Sequence, residues 1–205
     1  VVVGESTWDG KKKMYELMSE FKDVFFLRLP HEQTEKAVAL YRDEIVRLKD
    51  YLEQKFEVKI TEEMVREATR VNNRANKALK DLYSVMKHDP TPVSGYDIFK
   101  VLYGSTFRFD RAALADEVNA LREKIEREYA EGKHFEKRPR ILITGCPIGG
   151  ATEKVIRAVE DNGGVVIGYE NCSGEKAVGI QVEENAKDIY EALSRRYLAI
   201  GCSIM

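Results

Sequence analysis

The chain has 205 residues, enough for one large domain or two small ones and enough to bury a core without covalent staples. Its 33 Lys and Arg against 35 Asp and Glu give a net charge of −2, which excludes a generally basic protein that coats nucleic acid. No apolar run approaches the roughly 18 residues of a membrane span, and three Cys are too few for a disulfide scaffold. We therefore expect a cytoplasmic protein with no membrane span, whose thiols are free or bound to metal.

The opening segment predicts one βαβ unit. Val1–Gly4 is a short apolar run typical of a buried parallel strand, and residues 23–29 (DVFFLRL) form a second such run. Asp9 can cap the helix between them. The apolar face of that helix is made of Met14, Leu17, Met18 and Phe21. Two strands joined in this way are expected to be parallel, with a right-handed crossover.

The middle of the chain predicts helices whose apolar residues recur every three or four positions. The helices are expected over residues 32–56, from Thr61 to the proline-rich stretch at 89–92, from Ser94, and after a cap at Asp110. Such spacing is typical of antiparallel helix bundles. The sequence thus predicts a helical connecting subdomain over residues 31–138.

A second βαβ unit is predicted after a polar linker. Its segments are a strand at 140–144, a turn at 145–150 (GCPIGG), a helix at 151–162, a strand at 165–169, a helix at 185–197 and a third short strand at 198–200. We predict an α/β fold in which Rossmann-like βαβ pieces with parallel strands are separated by the bundle-like helices. The end of a first α/β lobe would occupy residues 1–30, and the start of a second lobe residues 139–205.

The three cysteines share one position relative to these elements. Cys146, Cys172 and Cys202 each follow a predicted strand. Ligands of open parallel sheets bind at the carboxyl ends of the strands, so three such thiols can converge on one metal, above all an iron–sulfur cluster. The spacing contains no CxxC pair, and three ordinary small core residues remain the alternative.

Two further features are typical of anion sites. The turn that contains Gly145, Gly149 and Gly150 enters a helix N-terminus, where backbone N–H groups can hold a phosphate, although it matches no nucleotide fingerprint. The run Lys11–Lys13, with Lys12 at its centre, lies in the first turns of a helix, where cations oppose the macrodipole. A tight turn and a solvated helix face are the alternatives.

Seven blocks of the sequence carry a resemblance to a known family. They are Gly4–Leu17 (GESTWDGKKKMYEL), Leu29–Gln33, Val71–Tyr83, Pro90–Asp97, Ile141–Gly164, Tyr169–Val178 and Arg196–Met205. In this order they resemble the 2-hydroxyacyl-CoA dehydratase and benzoyl-CoA reductase family, D-component type. The resemblance is greatest to the branch of double-cubane iron–sulfur cluster proteins, and Cys172 and Cys202 fall in motifs of that branch.

The resemblance implies a chain about twice this long, of which these residues are a fragment that is inactive alone. It implies an iron–sulfur cluster, 4Fe–4S or double-cubane, in a cleft between lobes. It also implies an ATP-hydrolysing activator protein that supplies low-potential electrons, and a dimer with a second α/β subunit or with itself. The implied reaction is a radical dehydration or reduction of an acyl-CoA or a small substrate.

Two positions depart from the family pattern. Trp8 stands where family members have a Cys ligand, and Ile204 stands where the double-cubane branch has a second Cys. Neither side chain can bind iron. The alternative hypothesis is therefore a cluster-free binding or assembly module that retains the fold. A third hypothesis is a nucleotide or CoA binder that uses the 145–150 turn and Lys11–Lys13.

Overall fold

The computed structural model describes residues 1–146, 150–172 and 174–201. In these ranges the elements are β1 (Val2–Glu5), α1 (Asp9–Met18), β2 (Val24–Leu27), α2 (Glu35–Phe56), α3 (Glu62–Tyr83), a 3-10 turn (Ser84–Lys87), α4 (Gly95–Ser105), α5 (Arg111–Ala130), β3 (Arg140–Thr144), α6 (Ala151–Asp161), β4 (Val165–Glu170), α7 (Glu175–Val178) and α8 (Ile189–Leu198). Two small parallel sheets and long helices confirm the predicted α/β class.

The chain divides into two compact units. The first unit comprises Val1–Thr69 and the segment from Val182 onward, and the second comprises Arg70–Gln181. Each unit contains one two-stranded parallel sheet together with helices from the middle of the sequence. The three-part division at residues 1–30, 31–138 and 139–205 describes lobes of a longer protein, and it stays a prediction.

In the first unit, β1 pairs in parallel with β2, with Glu5 beside Leu27 at the carboxyl end. The core joins the start of α2 to the end of α8, through the buried side chains Leu29, Ala37, Val38, Tyr41 and Leu198. Thr34 caps α2 by accepting a hydrogen bond from the Ala37 N–H. The buried Ser194 hydroxyl donates to the Val38 carbonyl at 2.8 Å, so α2 and α8 are held by polar as well as apolar contacts.

In the second unit, β3 and β4 are parallel, with Thr144 beside Glu170 at the carboxyl end. The core is built from α3, the 3-10 turn, α4, α5, α6 and β4. A close approach joins α4 to β4, because a Cβ at Gly95 would lie 2.1 Å from the Val166 carbonyl oxygen. The Tyr169 hydroxyl also donates to the Gly95 carbonyl at 2.8 Å, which fixes this helix on the sheet.

Two local predictions from the sequence are wrong. Residues 198–200 form no strand in the described part of the chain, because Leu198 ends α8 and the Ala199 and Ile200 amides continue its helical turn. Of these apolar residues, Leu198 is buried, and it packs in the core of the first unit rather than in a sheet. Asp9 does not cap α1, since the N-cap position is taken by Trp8. The predicted cap Asp110 is confirmed, and the helix predicted from Ser94 begins there, with Ser94 as its N-cap.

The predicted apolar face of α1 is a surface of the first unit. No residue of α1 is buried over its described length, and Met14, Leu17 and Phe21 are exposed. The helix contacts the sheet instead through Tyr15, whose ring meets the Phe26 ring edge-on at 6.1 Å. Among all the helices in the described ranges, none is long and apolar enough to cross a membrane.

Candidate functional site

The second sheet brings two of the three cysteines to one edge. β3 ends at Thr144 and β4 ends at Glu170, and these residues are paired in register. Cys146 and Cys172 each lie two residues beyond these ends. Because the strands are parallel, both thiols follow the same edge of the sheet, which is the edge where ligands of such sheets bind.

Both of these thiols are free and exposed. Within this chain, therefore, neither Cys146 nor Cys172 is packed in a hydrophobic core. Cys202, the third predicted ligand, and Gly149 of the predicted turn lie outside the described residues. The assignment of the three cysteines as metal ligands stays a prediction.

The chemistry of this edge suits a metal that prefers sulfur. Two thiolates are half of the four-cysteine set that holds a typical iron–sulfur cluster. The residues that the structure describes contain no group of three or more His, Cys, Asp or Glu side chains arranged to hold a metal ion. The two thiols fit an iron–sulfur cluster in chemical kind, and as a pair they are fewer than the ligands that such a cluster needs.

Glu170 connects the two loops that carry the thiols. Its carboxylate accepts a hydrogen bond from the Thr144 hydroxyl at 2.9 Å, on the β3 side. On the other side it pairs with the Lys176 ammonium at 2.9 Å, in α7. Hydrogen bonds from Lys176, Thr144 and the Gly145 N–H outweigh desolvation and lower the pKa of Glu170. Sequence analysis missed this residue, whose only signal is a charge at the end of an apolar strand.

Backbone geometry restricts both loops. Gly145 has a φ of +107°, a conformation that residues with a Cβ rarely adopt, and it directly precedes Cys146. After Cys172, a Cβ at Gly174 would lie 2.2 Å from the Tyr169 carbonyl oxygen. The Gly174 N–H donates to the Asn171 carbonyl at 3.1 Å and closes a turn around the cysteine. Each thiol thus sits in a loop whose course requires glycine.

The predicted anion features are only partly described. Lys11, Lys12 and Lys13 are each paired with a carboxylate of the first unit, at 3.3, 3.0 and 2.7 Å respectively. This pairing offsets the charge of the run, which the helix macrodipole alone would oppose. Gly150 is the N-cap of α6 and has a right-handed helical conformation. Phosphate binding by these residues stays a prediction.

Trp8 lies just beyond the carboxyl end of β1, where the family resemblance implies a Cys ligand. It is the N-cap residue of α1, and its side chain makes no capping hydrogen bond within the described structure. The residue is 47% exposed, so the indole does not fill a core position. Since the indole offers only an N–H donor, this position cannot bind iron.

A buried acid, Glu44 of α2, contacts the residues that follow β2. Glu44 accepts hydrogen bonds from the Arg28 amide at 3.1 Å, from the Arg28 Nε at 2.8 Å and from Arg47 at 2.6 Å. Burial acts to raise the pKa of Glu44, but the hydrogen bonds from Arg47 and Arg28 lower it to about 2. The helical pattern of α2 gave no sign of this residue, which ties α2 to the strand by charge.

The fold and this edge define a class of protein, namely an α/β protein with exposed thiols at the carboxyl end of a parallel sheet. Across residues 1–205 the chain matches the family described as 2-hydroxyglutaryl-CoA dehydratase, D-component. It is also 50% identical over 204 residues to "Putative dehydratase subunit YjiM" of Escherichia coli (strain K12). The chain therefore belongs to the 2-hydroxyglutaryl-CoA dehydratase D-component family, as the sequence blocks indicated.

The alignment with that relative covers 99% of this chain and 53% of the relative. The chain thus spans about half of the length of the curated relative that it matches. Activity, substrate and partners are properties of the whole protein, and those of this chain are therefore proposed below.

Proposed function

We propose that this chain is part of a 2-hydroxyacyl-CoA dehydratase-like component that carries an iron–sulfur cluster, with Cys146 and Cys172 as two of its thiolate ligands. One observation carries the proposal: both thiols are exposed just beyond two paired strand ends of one parallel sheet. Membership of the dehydratase family supports the same reading. The family resemblance alone implies Cys202 as a further ligand.

The residues of this chain have a limited role in the proposed reaction. Cys146 and Cys172 would bind as thiolates, so loading of the site releases their protons. The cluster, when bound, supplies single-electron transfer at low potential. Glycine at positions 145 and 174 lets the backbone follow the tight loops that expose the sulfurs. These residues hold the site, and the substrate contacts belong to the full-length protein.

The proposal extends to the setting of the protein. The electrons would come from an ATP-hydrolysing activator, the substrate would be an acyl-CoA thioester, and the protein would work as a dimer with a second α/β subunit or with itself. A reducing, cytoplasmic environment suits these exposed free thiols, because exposed cysteines oxidise readily where thiols are not kept reduced. The family resemblance is the support for each of these statements.

A cluster-free binding module is the second candidate, and Trp8 is the observation that favours it. The exposed indole replaces a ligand of the family with a side chain that cannot coordinate metal. Under this alternative the protein is colourless and indifferent to oxygen, and its cysteines can be replaced without effect on colour or metal content.

Iron and sulfide analysis of the anaerobically purified full-length protein, with an EPR spectrum, distinguishes the two candidates. We expect a brown protein in which Cys146→Ser and Cys172→Ser each lower the iron content by half or more, since a cluster that loses a thiolate is held poorly. Met64→Leu is the matched control, because it removes another exposed sulfur that is not a predicted ligand. Full-length protein without iron, or single variants with unchanged iron, would contradict the cluster.

A further inference from the structure

Glu170 occupies the junction between the two thiol loops. It is the last residue of β4, and Cys172 follows two positions later. Its partner in the sheet register is Thr144, and Cys146 follows that residue at the same interval. The carboxylate therefore stands at the base of both loops.

The contacts of Glu170 reach in both directions from this junction. One oxygen accepts from the Thr144 hydroxyl at 2.9 Å, and Thr144 is two residues before Cys146. The other oxygen pairs with the Lys176 ammonium at 2.9 Å. One side chain thus connects the residues just before Cys146 with the helix that follows Cys172.

The described residues next to the two cysteines have little local structure that would hold them without other contacts. α7 has four residues, which is too short for a helix that is stable in isolation. Gly145 has no side chain, so the backbone just before Cys146 can adopt many conformations and is not fixed by its own sequence. Hydrogen bonds to a charged group are stronger than neutral ones, and those to Glu170 act at the points where the loops leave the sheet.

We propose that Glu170 is a positioning residue that holds Cys146 and Cys172 at the separation needed to bind one metal centre. The assignment deepens the proposed function and rests on it. Lys176 completes the arrangement, because its ammonium ties α7 to the carboxylate and offsets its charge. Glu170 acts through the two loops and is not itself a ligand.

The test measures the separation of the thiols without a metal. Iron-free full-length protein is treated with a short bismaleimide, in which each double bond adds one thiol as an S–C bond forms and the thiol proton passes to the neighbouring carbon. Peptide mass spectrometry gives the ratio of Cys146–Cys172 bridges to unbridged adducts. The second addition is intramolecular, so its yield follows the relative position of the sulfurs.

We expect Glu170→Ala to lower the bridged fraction about tenfold, because the loops lose their common anchor. Addition of N-ethylmaleimide to each thiol separately should stay near the wild-type rate, since exposure and not spacing governs that reaction. Glu170→Gln retains an oxygen that can accept from Thr144 and should recover a substantial part of the bridging. Circular dichroism and thermal unfolding establish that the variants are folded.

Glu153→Ala is the matched control. This carboxylate lies in the same unit, on α6, and accepts from the Tyr96 hydroxyl and the Arg157 Nε, but it belongs to neither thiol loop. It should leave the bridged fraction unchanged. Equal bridging in wild type and Glu170→Ala, or no bridging in wild type, would overturn the positioning role.

The outcomes separate this inference from the proposed function. Bridging that depends on Glu170 in a protein that binds no iron would retain the positioning role and reject the cluster. Iron-loaded protein whose bridging is indifferent to Glu170 would retain the cluster and reject the positioning role.

Discussion

Glu44 shows what a single buried charge does in the first unit. It is 6% exposed and would be costly to bury alone, yet Arg47 of the same helix and Arg28, just after β2, donate hydrogen bonds to it. Removal of either arginine takes away part of the hydrogen bonds of the buried carboxylate, and removal of both would leave its charge uncompensated. At the edge that carries the two thiols, loss of a partner of Glu170 should cost less, because that carboxylate is partly exposed to solvent.

The lowered pKa of Glu44 predicts a loss of stability in acid. Its pKa is about 2 in the folded chain against 4.5 for the ordinary group, so its contribution is present above pH 4.5 and is lost as the pH falls towards 2. We expect the ionised Glu44 to contribute about 2 kcal/mol to the free energy of unfolding, a figure reduced because the arginines are partly exposed to solvent. Urea unfolding at pH 7 and pH 3 measures the difference.

Glu44→Gln should remove most of that pH dependence and lower stability at pH 7. The control is Glu16→Gln, because Glu16 pairs with Lys13 at the surface and both side chains are more than half exposed. It should change stability by a few tenths of a kcal/mol at most. A Glu44→Gln variant with the acid sensitivity of wild type would contradict the assignment.

At the scale of elements, α4 contains a glycine whose role is to allow close packing against a strand rather than to make the backbone flexible. Its first residue, Gly95, lies against β4, while Gly104 near its other end has open space around the position of a Cβ in the described structure. The Gly95 N–H also donates to the Glu160 carboxylate of α6 at 2.7 Å. α4, α6 and β4 therefore meet at one small residue.

Gly95→Ala is expected to destabilise the protein by about 3 kcal/mol, since the new Cβ would overlap the Val166 carbonyl and force α4 from the sheet. Gly104→Ala in the same helix should be neutral or stabilise by up to about 1 kcal/mol, because alanine favours the helix. Chemical denaturation of both variants measures the contrast. Equal stabilities would mean that α4 does not approach β4 so closely.

For whole elements, prediction succeeded where the pattern is local. The strand Arg140–Thr144, the helix start at Ser94 and the cap Asp110 are confirmed, because β-branched runs and capping side chains act within a few residues. The prediction of a strand at 198–200 is wrong, because Leu198 is an apolar helix residue that packs in the core of the first unit. A short apolar run does not reveal whether a sheet or a helix buries it.

On the scale of the whole molecule, the chain is two units, each with its own parallel pair of strands. The helices predicted as one connecting subdomain contribute to both units, and α3 itself runs across the boundary between Thr69 and Arg70. Amphipathic spacing shows which face of a helix is apolar but does not show which element that face packs against. The exposed face of α1 illustrates the same limit.

The sequence by itself determined the α/β class, most element boundaries, the family and the position of Cys146 and Cys172 after strands, because these depend on local periodicity and on recognisable blocks. The strand predicted before Cys202 is wrong, since that part of the chain ends a helix. The tertiary structure decided that Cys146 and Cys172 share an exposed edge, that Glu170 links their loops and that Glu44 is a buried charge. These features depend on contacts between residues far apart in the chain. Their energies come from burial and hydrogen-bond geometry, which no single segment encodes.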